Sequence, residues 1–143
     1  MSEIISATDL GIQLGKDDEH ALFKWLIASF LMGKRIRAQL AVEAYKVIVE
    51  HHERDTPRKL VMCTHSQLVK MLGEGGYARY DESTAERLLK LSKKLIDEYG
   101  GKLINIREAS ENQADFEMRL AAFEGIGPKT VEIFMRDARE VLF

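Results

Sequence analysis

Apolar residues recur with the period of an α-helix along most of the sequence, and this spacing constrains the fold more than any other feature. One such run lies at positions 22–31 and another at positions 131–142. No segment shows the sustained apolar-polar alternation of a β-strand. A length of 143 residues suits one hydrophobic core and is short for two. We therefore expect an all-α protein, a compact helical bundle in which residues 1–143 form a single helical domain.

Local signals predict where several of the helices begin and end. Acidic residues at positions 17–19 precede the first apolar run, and Gly33 follows it. Pro57 opens a later helix, Thr64 is of the residue type that caps a helix N-terminus, and residues 100–101 are the glycines typical of a helix C-terminus. These signals predict a chain of helices separated by short breaks.

Three other stretches have weaker signals. Residues 3–14 are compatible with a short N-terminal helix that ends before Gly15. The glycine-rich residues 73–76 lack the Gly-Lys-Ser/Thr of a phosphate loop, so we expect a linker between helices there. Residues 103–106 fit either an extended segment or a short turn.

A glycine-rich reversal near the C-terminus is the most specific motif. The sequence Gly125-Ile126-Gly127-Pro128 lies between two helical patterns, which predicts a helix-hairpin-helix over about residues 112–142 with a four-residue hairpin. Both glycines can adopt positive φ, and proline is preset for the first helical position. We expect the hairpin amides to point outward beside Lys129 and Thr130. Such a helix N-terminus suits a phosphate oxygen.

The densest positive cluster consists of Lys34, Arg35 and Arg37. It allows two interpretations with equal weight: a solvated helix end, or a contact to phosphate or to a DNA groove. A formal net charge of −2 argues against a wholly basic nucleic-acid binder but leaves room for a basic face.

Several classes of protein and site are not expected. No apolar stretch reaches the roughly 18 residues of a membrane helix, and Met1-Ser2-Glu3 lacks the basic start of a signal peptide, so we expect a cytoplasmic protein without membrane contact. Cys63 is the only cysteine and is expected to pack in the core. His51 and His52 have no third ligand nearby and favour a solvated helix terminus over a metal site.

The order of the motifs resembles the helix-hairpin-helix superfamily of base-excision DNA glycosylases, of which endonuclease III is a member. Residues 26–31 are similar to the first barrel helix of that family, and residues 76–80 followed by Ala85-Glu86 are similar to its turn into the long central helix. Residues 99–103 resemble the glycine-rich step before the hairpin, and residues 120–130 resemble the hairpin itself. The resemblance covers roughly residues 20–136.

The resemblance implies specific roles for the hairpin residues. The amides around Gly125 and Gly127 would grip the DNA backbone, with Ile126, Lys129 and Thr130 in the same contact surface. Lys129 matches the lysine that forms a Schiff base with the sugar in the bifunctional enzymes, although a plain phosphate contact suits it equally. The resemblance further implies a monovalent cation such as potassium, held by three backbone carbonyl groups: those of Ala121, Phe123 and Ile126.

The sequence also departs from the family. It stops before the position of the essential aspartate, and Asp137, in the helix after the hairpin, is expected to be a solvent-facing partner of a neighbouring arginine such as Arg136 or Arg139. The four cysteines that would bind an iron-sulfur cluster are missing, so no such cluster is expected. Lys34 stands where the family often inserts a glutamine into the DNA.

Three functions are therefore weighed, and the missing aspartate sets their order. First comes a DNA-binding protein that contacts the backbone through the hairpin and the cluster at residues 34–37. Second comes an active DNA glycosylase or abasic-site lyase using Lys129, with acid-base help from Asp115, Glu124 or a partner chain. Third comes a helical scaffold or interaction protein in which the hairpin is only a tight turn.

Overall fold

The computed structural model describes residues 4–78 and 80–143, and within them it shows eight α-helices and no strand. The prediction of an all-α protein is confirmed. The helices are α1 (Glu19–Met32), α2 (Ala38–Tyr45), α3 (Pro57–Val61), α4 (His65–Glu74), α5 (Asp81–Tyr99), α6 (Leu103–Ala109), α7 (Gln113–Ala121) and α8 (Pro128–Leu142). A short 3₁₀ helix (Thr8–Leu10) precedes them, and a π-helical segment (Lys46–His51) continues α2.

Helix α1 lies in the centre of the hydrophobic core. It packs against α2, α6 and α8, and ten of its fourteen residues are buried. Its polar groups are satisfied internally: the Trp25 indole donates to the Phe134 carbonyl oxygen at 3.0 Å, and the Ser29 hydroxyl donates to the Trp25 carbonyl oxygen at 2.8 Å. Because these donors find acceptors inside the protein, the helix is buried without losing hydrogen bonds.

The predicted helix ends are largely confirmed. The Asp18 side chain caps α1 by accepting from the Ala21 amide at 3.1 Å, and α1 ends at Gly33. Thr64 caps α4 and forms a reciprocal capping box with Gln67. Helix α5 ends at Gly100, which adopts a left-handed conformation.

Residues 103–106 differ from the prediction, because they begin α6 instead of forming an extended segment or a short turn. The Glu19 carboxylate accepts hydrogen bonds from the Leu103 amide at 2.6 Å and the Ile104 amide at 2.8 Å. Burial raises the pKa of this carboxyl, and the two amide hydrogen bonds offset part of the rise. The N-terminus of α6 is thus capped by a side chain of α1. The residues next to α6 in the sequence do not reveal this cap.

The other weak stretches are also resolved by the structure. Residues 3–14 were expected to allow a helix, and their described part contains only the 3₁₀ turn Thr8–Leu10, while Met1-Ser2-Glu3 lie outside the described residues. The expected linker at 73–76 is shorter, because Gly73 and Glu74 belong to α4.

The structure also shows the surroundings of Cys63 and of the paired histidines. Cys63 is buried, as predicted for a core residue. His52 contacts the Glu74 carboxylate at 3.0 Å, and no group of three or more metal-ligating side chains comes together in residues 4–78 and 80–143. None of the helices described is both long and apolar enough to cross a membrane.

Gly73 and Gly75, at the C-terminal end of α4, provide a test of how α4 packs on α2. A Cβ atom on Gly75 would lie 2.7 Å from the Ala44 Cα atom, whereas one on Gly73 would meet no atom within 4 Å. We expect Gly75→Ala to lower the free energy of unfolding by about 1–3 kcal/mol. Gly73→Ala, in a helix, should raise it by about 0.5–1 kcal/mol. Urea denaturation followed by circular dichroism measures both; equal unfolding midpoints would contradict the packing of α4 on α2.

Candidate nucleic-acid interface

Helices α7 and α8 pack against each other and are joined by residues 122–127, which we call the hairpin turn. The connection is two residues longer than the predicted four, because α7 already ends at Ala121. Pro128 occupies the first turn of α8, as its fixed φ predicts. Gly127 precedes Pro128 as the N-cap residue. Because glycine has no side chain, it cannot accept a hydrogen bond from the backbone amides in the first turn of α8.

The two glycines of the hairpin turn have different roles. Gly125 has a φ of 89°, whereas Gly127 has a φ of −102° and an extended conformation, so the expectation of positive φ applies only to Gly125. A Cβ atom on Gly125 would lie 2.9 Å from both the Arg87 Cδ atom and the Phe30 ring. Gly125 is therefore required by backbone conformation and by packing.

Ile126 and Thr130 are less available for DNA than predicted. The Ile126 side chain is buried, and its amide donates to the Phe123 carbonyl oxygen at 3.1 Å. Thr130 is 2% exposed, and its side chain packs tightly against Gly33 at the end of α1. The exposed fraction refers to the whole residue, so the Thr130 hydroxyl faces the protein interior and the backbone is covered as well.

Lys129 is the exposed cation of this helix end. Its side chain is 64% exposed, and its ammonium lies 4.0 Å from the Glu132 carboxylate. An exposed ion pair of this kind is weak and exchanges readily with a phosphate. This exposure differs from the desolvated pocket in which a Schiff-base lysine is activated.

Residues 34–37, which we call the basic loop, lie beside the hairpin turn. The Lys34 ammonium donates to the Gly125 carbonyl oxygen at 3.4 Å and lies 4.7 Å from the centre of the Phe30 ring. Arg35 and Arg37 are exposed. Lys34 is therefore not part of a solvated helix end, whereas the two arginines are open to solvent.

Arg87 belongs to the same surface, although it was not among the residues predicted from the sequence. It lies on α5, and its side chain contacts the site of Gly125. Burial lowers the pKa of Lys34, and the nearby Arg87 charge lowers it further. A signal for Arg87 exists in the sequence, because Arg87, Lys90 and Lys94 recur with helical spacing and predict one basic face of α5.

The other two members of that face hold the hairpin turn from the side of α5. The Lys90 ammonium lies 3.2 Å from the Glu124 carboxylate. The Lys94 ammonium donates to the Ala122 carbonyl oxygen at 3.2 Å and lies 4.8 Å from the centre of the Phe123 ring. These contacts position the turn and also occupy Glu124, one of the two carboxylates considered for acid-base chemistry.

The second of those carboxylates is occupied as well. Asp115 accepts from the Glu111 amide at 2.9 Å and from the Arg119 side chain at 3.4 Å. The hydrogen bond from the Glu111 amide, together with Arg119, holds the pKa of Asp115 below its usual value. Both carboxylates thus stabilise local structure.

The cation expected at the carbonyl groups of Ala121, Phe123 and Ile126 stays a prediction. The Phe123 carbonyl oxygen already accepts the Ile126 amide, and the ammonium groups of Lys94 and Lys34 lie at the neighbouring carbonyl groups of Ala122 and Gly125. Their positive charges oppose a further cation at this turn.

The expectation that Asp137 faces solvent is wrong, because this residue is half-buried. Its carboxylate accepts from the Ala7 amide at 2.7 Å. It therefore attaches the N-terminal segment to α8, a long-range contact that the charged neighbours of Asp137 in the sequence did not reveal.

No protein-family model matches the sequence, and no curated protein is significantly similar to it. The likeness to base-excision glycosylases therefore rests on the motifs themselves. One of those motif residues, Arg79, lies outside the described residues.

Matched serine substitutions test the two glycine roles. Gly125→Ser should lower the free energy of unfolding by about 1–3 kcal/mol, because positive φ is strained for serine and its Cβ atom would overlap Arg87 and Phe30. Gly127→Ser should be neutral or stabilising by a few tenths of a kcal/mol, because serine is a good N-cap residue and no atom lies within 4 Å of its Cβ position. Urea denaturation compares the two; a larger loss for Gly127→Ser would contradict these assignments.

Proposed function

We propose that the protein binds DNA through the surface shared by the hairpin turn and the basic loop, and that it is related to the base-excision glycosylases. One observation carries the proposal: the Lys34 ammonium contacts the Gly125 carbonyl oxygen. This contact joins two regions that are far apart in the sequence. A phosphate contact was expected for the hairpin and was one of two interpretations of the cluster at residues 34–37. Because the basic loop and the hairpin turn lie close together, their positively charged side chains form one surface.

The chemistry of this surface suits a phosphate backbone. Arg35, Arg37 and Lys129 are exposed, and none of the ion pairs found among the described residues involves either arginine. No side chain caps the N-terminus of α8, and Lys129 lies in its first turn. The formal net charge of the whole protein is −2, so the positive charge of this surface is a local excess. DNA binding therefore depends on a few phosphate contacts.

Backbone contacts of this kind predict a particular binding behaviour. Phosphate contacts position a protein on DNA but carry no sequence information. Each neutralised phosphate releases counterions, so affinity falls steeply as salt rises. We therefore propose sequence-independent, salt-sensitive binding, whereas a helical scaffold would show no DNA affinity.

Single substitutions test this proposal in duplex DNA titrations followed by fluorescence anisotropy. We expect Arg35→Ala, Arg37→Ala and Lys129→Ala each to weaken binding several-fold and to reduce the salt slope by about 0.9 for each lost phosphate contact.

Arg58→Ala is the matched control. It also removes one positive charge, but at a different place, near His20 at the start of α1. The fourteen residues of α1 separate that end from the basic loop by about 21 Å. Absence of binding at low salt, or an equal loss for Arg58→Ala, would refute the proposed surface.

A further inference from the structure

A pocket of about 410 Å³ lies where the start of α1, the start of α3 and the junction of α5 and α6 meet. Small-molecule sites have volumes of about 300–1,000 Å³ and are mostly apolar. Here the buried residues Phe23 and Pro57 supply an apolar lining, and Gly100 and Gly101 line the pocket without side chains. The pocket therefore has the size and the lining of a small-molecule site.

Side-chain contacts between distant residues hold the walls of this pocket together. The Glu19 carboxylate accepts from the Leu103 amide at 2.6 Å and so joins α1 to α6. The His20 Nε2 atom lies 2.8 Å from the Asp55 carboxylate and joins α1 to the segment before α3. Because these contacts fix the walls in the free protein, a ligand would bind with little reorganisation of the chain.

The charged groups of the pocket are unequally compensated. The Glu19 carboxylate accepts two backbone amides, and the Asp55 carboxylate contacts an imidazole and an ammonium group. Arg58 and Lys102 are exposed, and neither belongs to an ion pair within residues 4–78 and 80–143. The charge that remains available to a ligand in this pocket is therefore positive.

We propose that this pocket binds a small organic anion, a carboxylate on a body of one or two aromatic rings. The aromatic body would pack against Phe23 and Pro57, and the carboxylate would lie toward Arg58 and Lys102. A cationic ligand would be repelled by these two side chains, and an uncharged one would gain nothing from them.

This site is separate from the proposed DNA surface. The fourteen residues of α1 place its start about 21 Å from the end that leads into the basic loop. Binding of the anion therefore does not depend on whether the protein binds DNA.

The main experiment is a titration of the free protein with naphthoate, followed by NMR spectra of the backbone amides. We expect saturable shifts at Thr56, Gly100 and Gly101, and none at the hairpin turn. Naphthylmethanol has a similar shape but no charge and should bind at least about fivefold more weakly. Naphthylmethylamine, which carries a positive charge, should bind more weakly still.

Three outcomes of this titration would overturn the proposal. The first is no saturable shift of the pocket amides at millimolar naphthoate, or shifts confined to the hairpin turn and the basic loop. The second is equal affinity for naphthoate and naphthylmethanol, which would indicate an apolar pocket without a role for the cations. The third is tighter binding of naphthylmethylamine, which would assign the pocket to its carboxylates.

Two pairs of variants test the cations of the pocket. Lys102→Gln should weaken naphthoate binding about two- to fivefold, whereas Lys102→Arg, which keeps the charge, should stay within about twofold of the original. Lys70→Gln, at an exposed position of α4 outside the pocket, is the matched control and should leave the affinity unchanged. An equal loss for Lys70→Gln, or no loss for Lys102→Gln, would refute the role of Lys102.

The second pair separates this pocket from the DNA surface. Arg58→Ala should weaken naphthoate binding about two- to fivefold and leave DNA affinity unchanged, whereas Arg35→Ala should leave naphthoate affinity unchanged. Circular dichroism confirms that both variants keep their helical content. Loss of naphthoate affinity in Arg35→Ala but not in Arg58→Ala would place the anion at the basic loop and refute the proposed pocket.

Discussion

The burial of α1 is the constraint on which the rest of the structure depends. A helix in which ten of fourteen residues are buried is stable only when other elements enclose it, and here α2, α6 and α8 do so. The Trp25 indole needs an acceptor in the interior, and the Phe134 carbonyl oxygen of α8 provides one. This hydrogen bond fixes α8 on α1, and with it the position of the hairpin turn.

The proposed interface is a consequence of that packing. Because Gly33 has no side chain, the end of α1 can approach Thr130 in the first turn of α8. The basic loop follows Gly33 directly and so lies beside the hairpin turn, where Lys34 reaches the Gly125 carbonyl oxygen. The same approach buries Lys34 in part and places it near Arg87, and both effects lower the pKa of Lys34.

The site was only partly predictable from the sequence. The helix ends at Thr64 and Gly100 and the positive φ at Gly125 follow from residue type, because each depends on a few neighbouring atoms. The burial of Thr130, by contrast, depends on contacts with distant residues. Asp137 also failed as a prediction, because its hydrogen bond joins residues 130 positions apart.

The sequence by itself determined that the chain is helical, where several helices begin or end, and which segments carry positive charge. These properties depend on hydrogen bonds and backbone preferences within a few residues. Only the tertiary structure decided that α6 is capped by Glu19, that Arg87 faces the hairpin turn and that Lys34 is half-buried against it. Solvation and charge proximity are properties of the space around a side chain, and the packing of α1 creates that space.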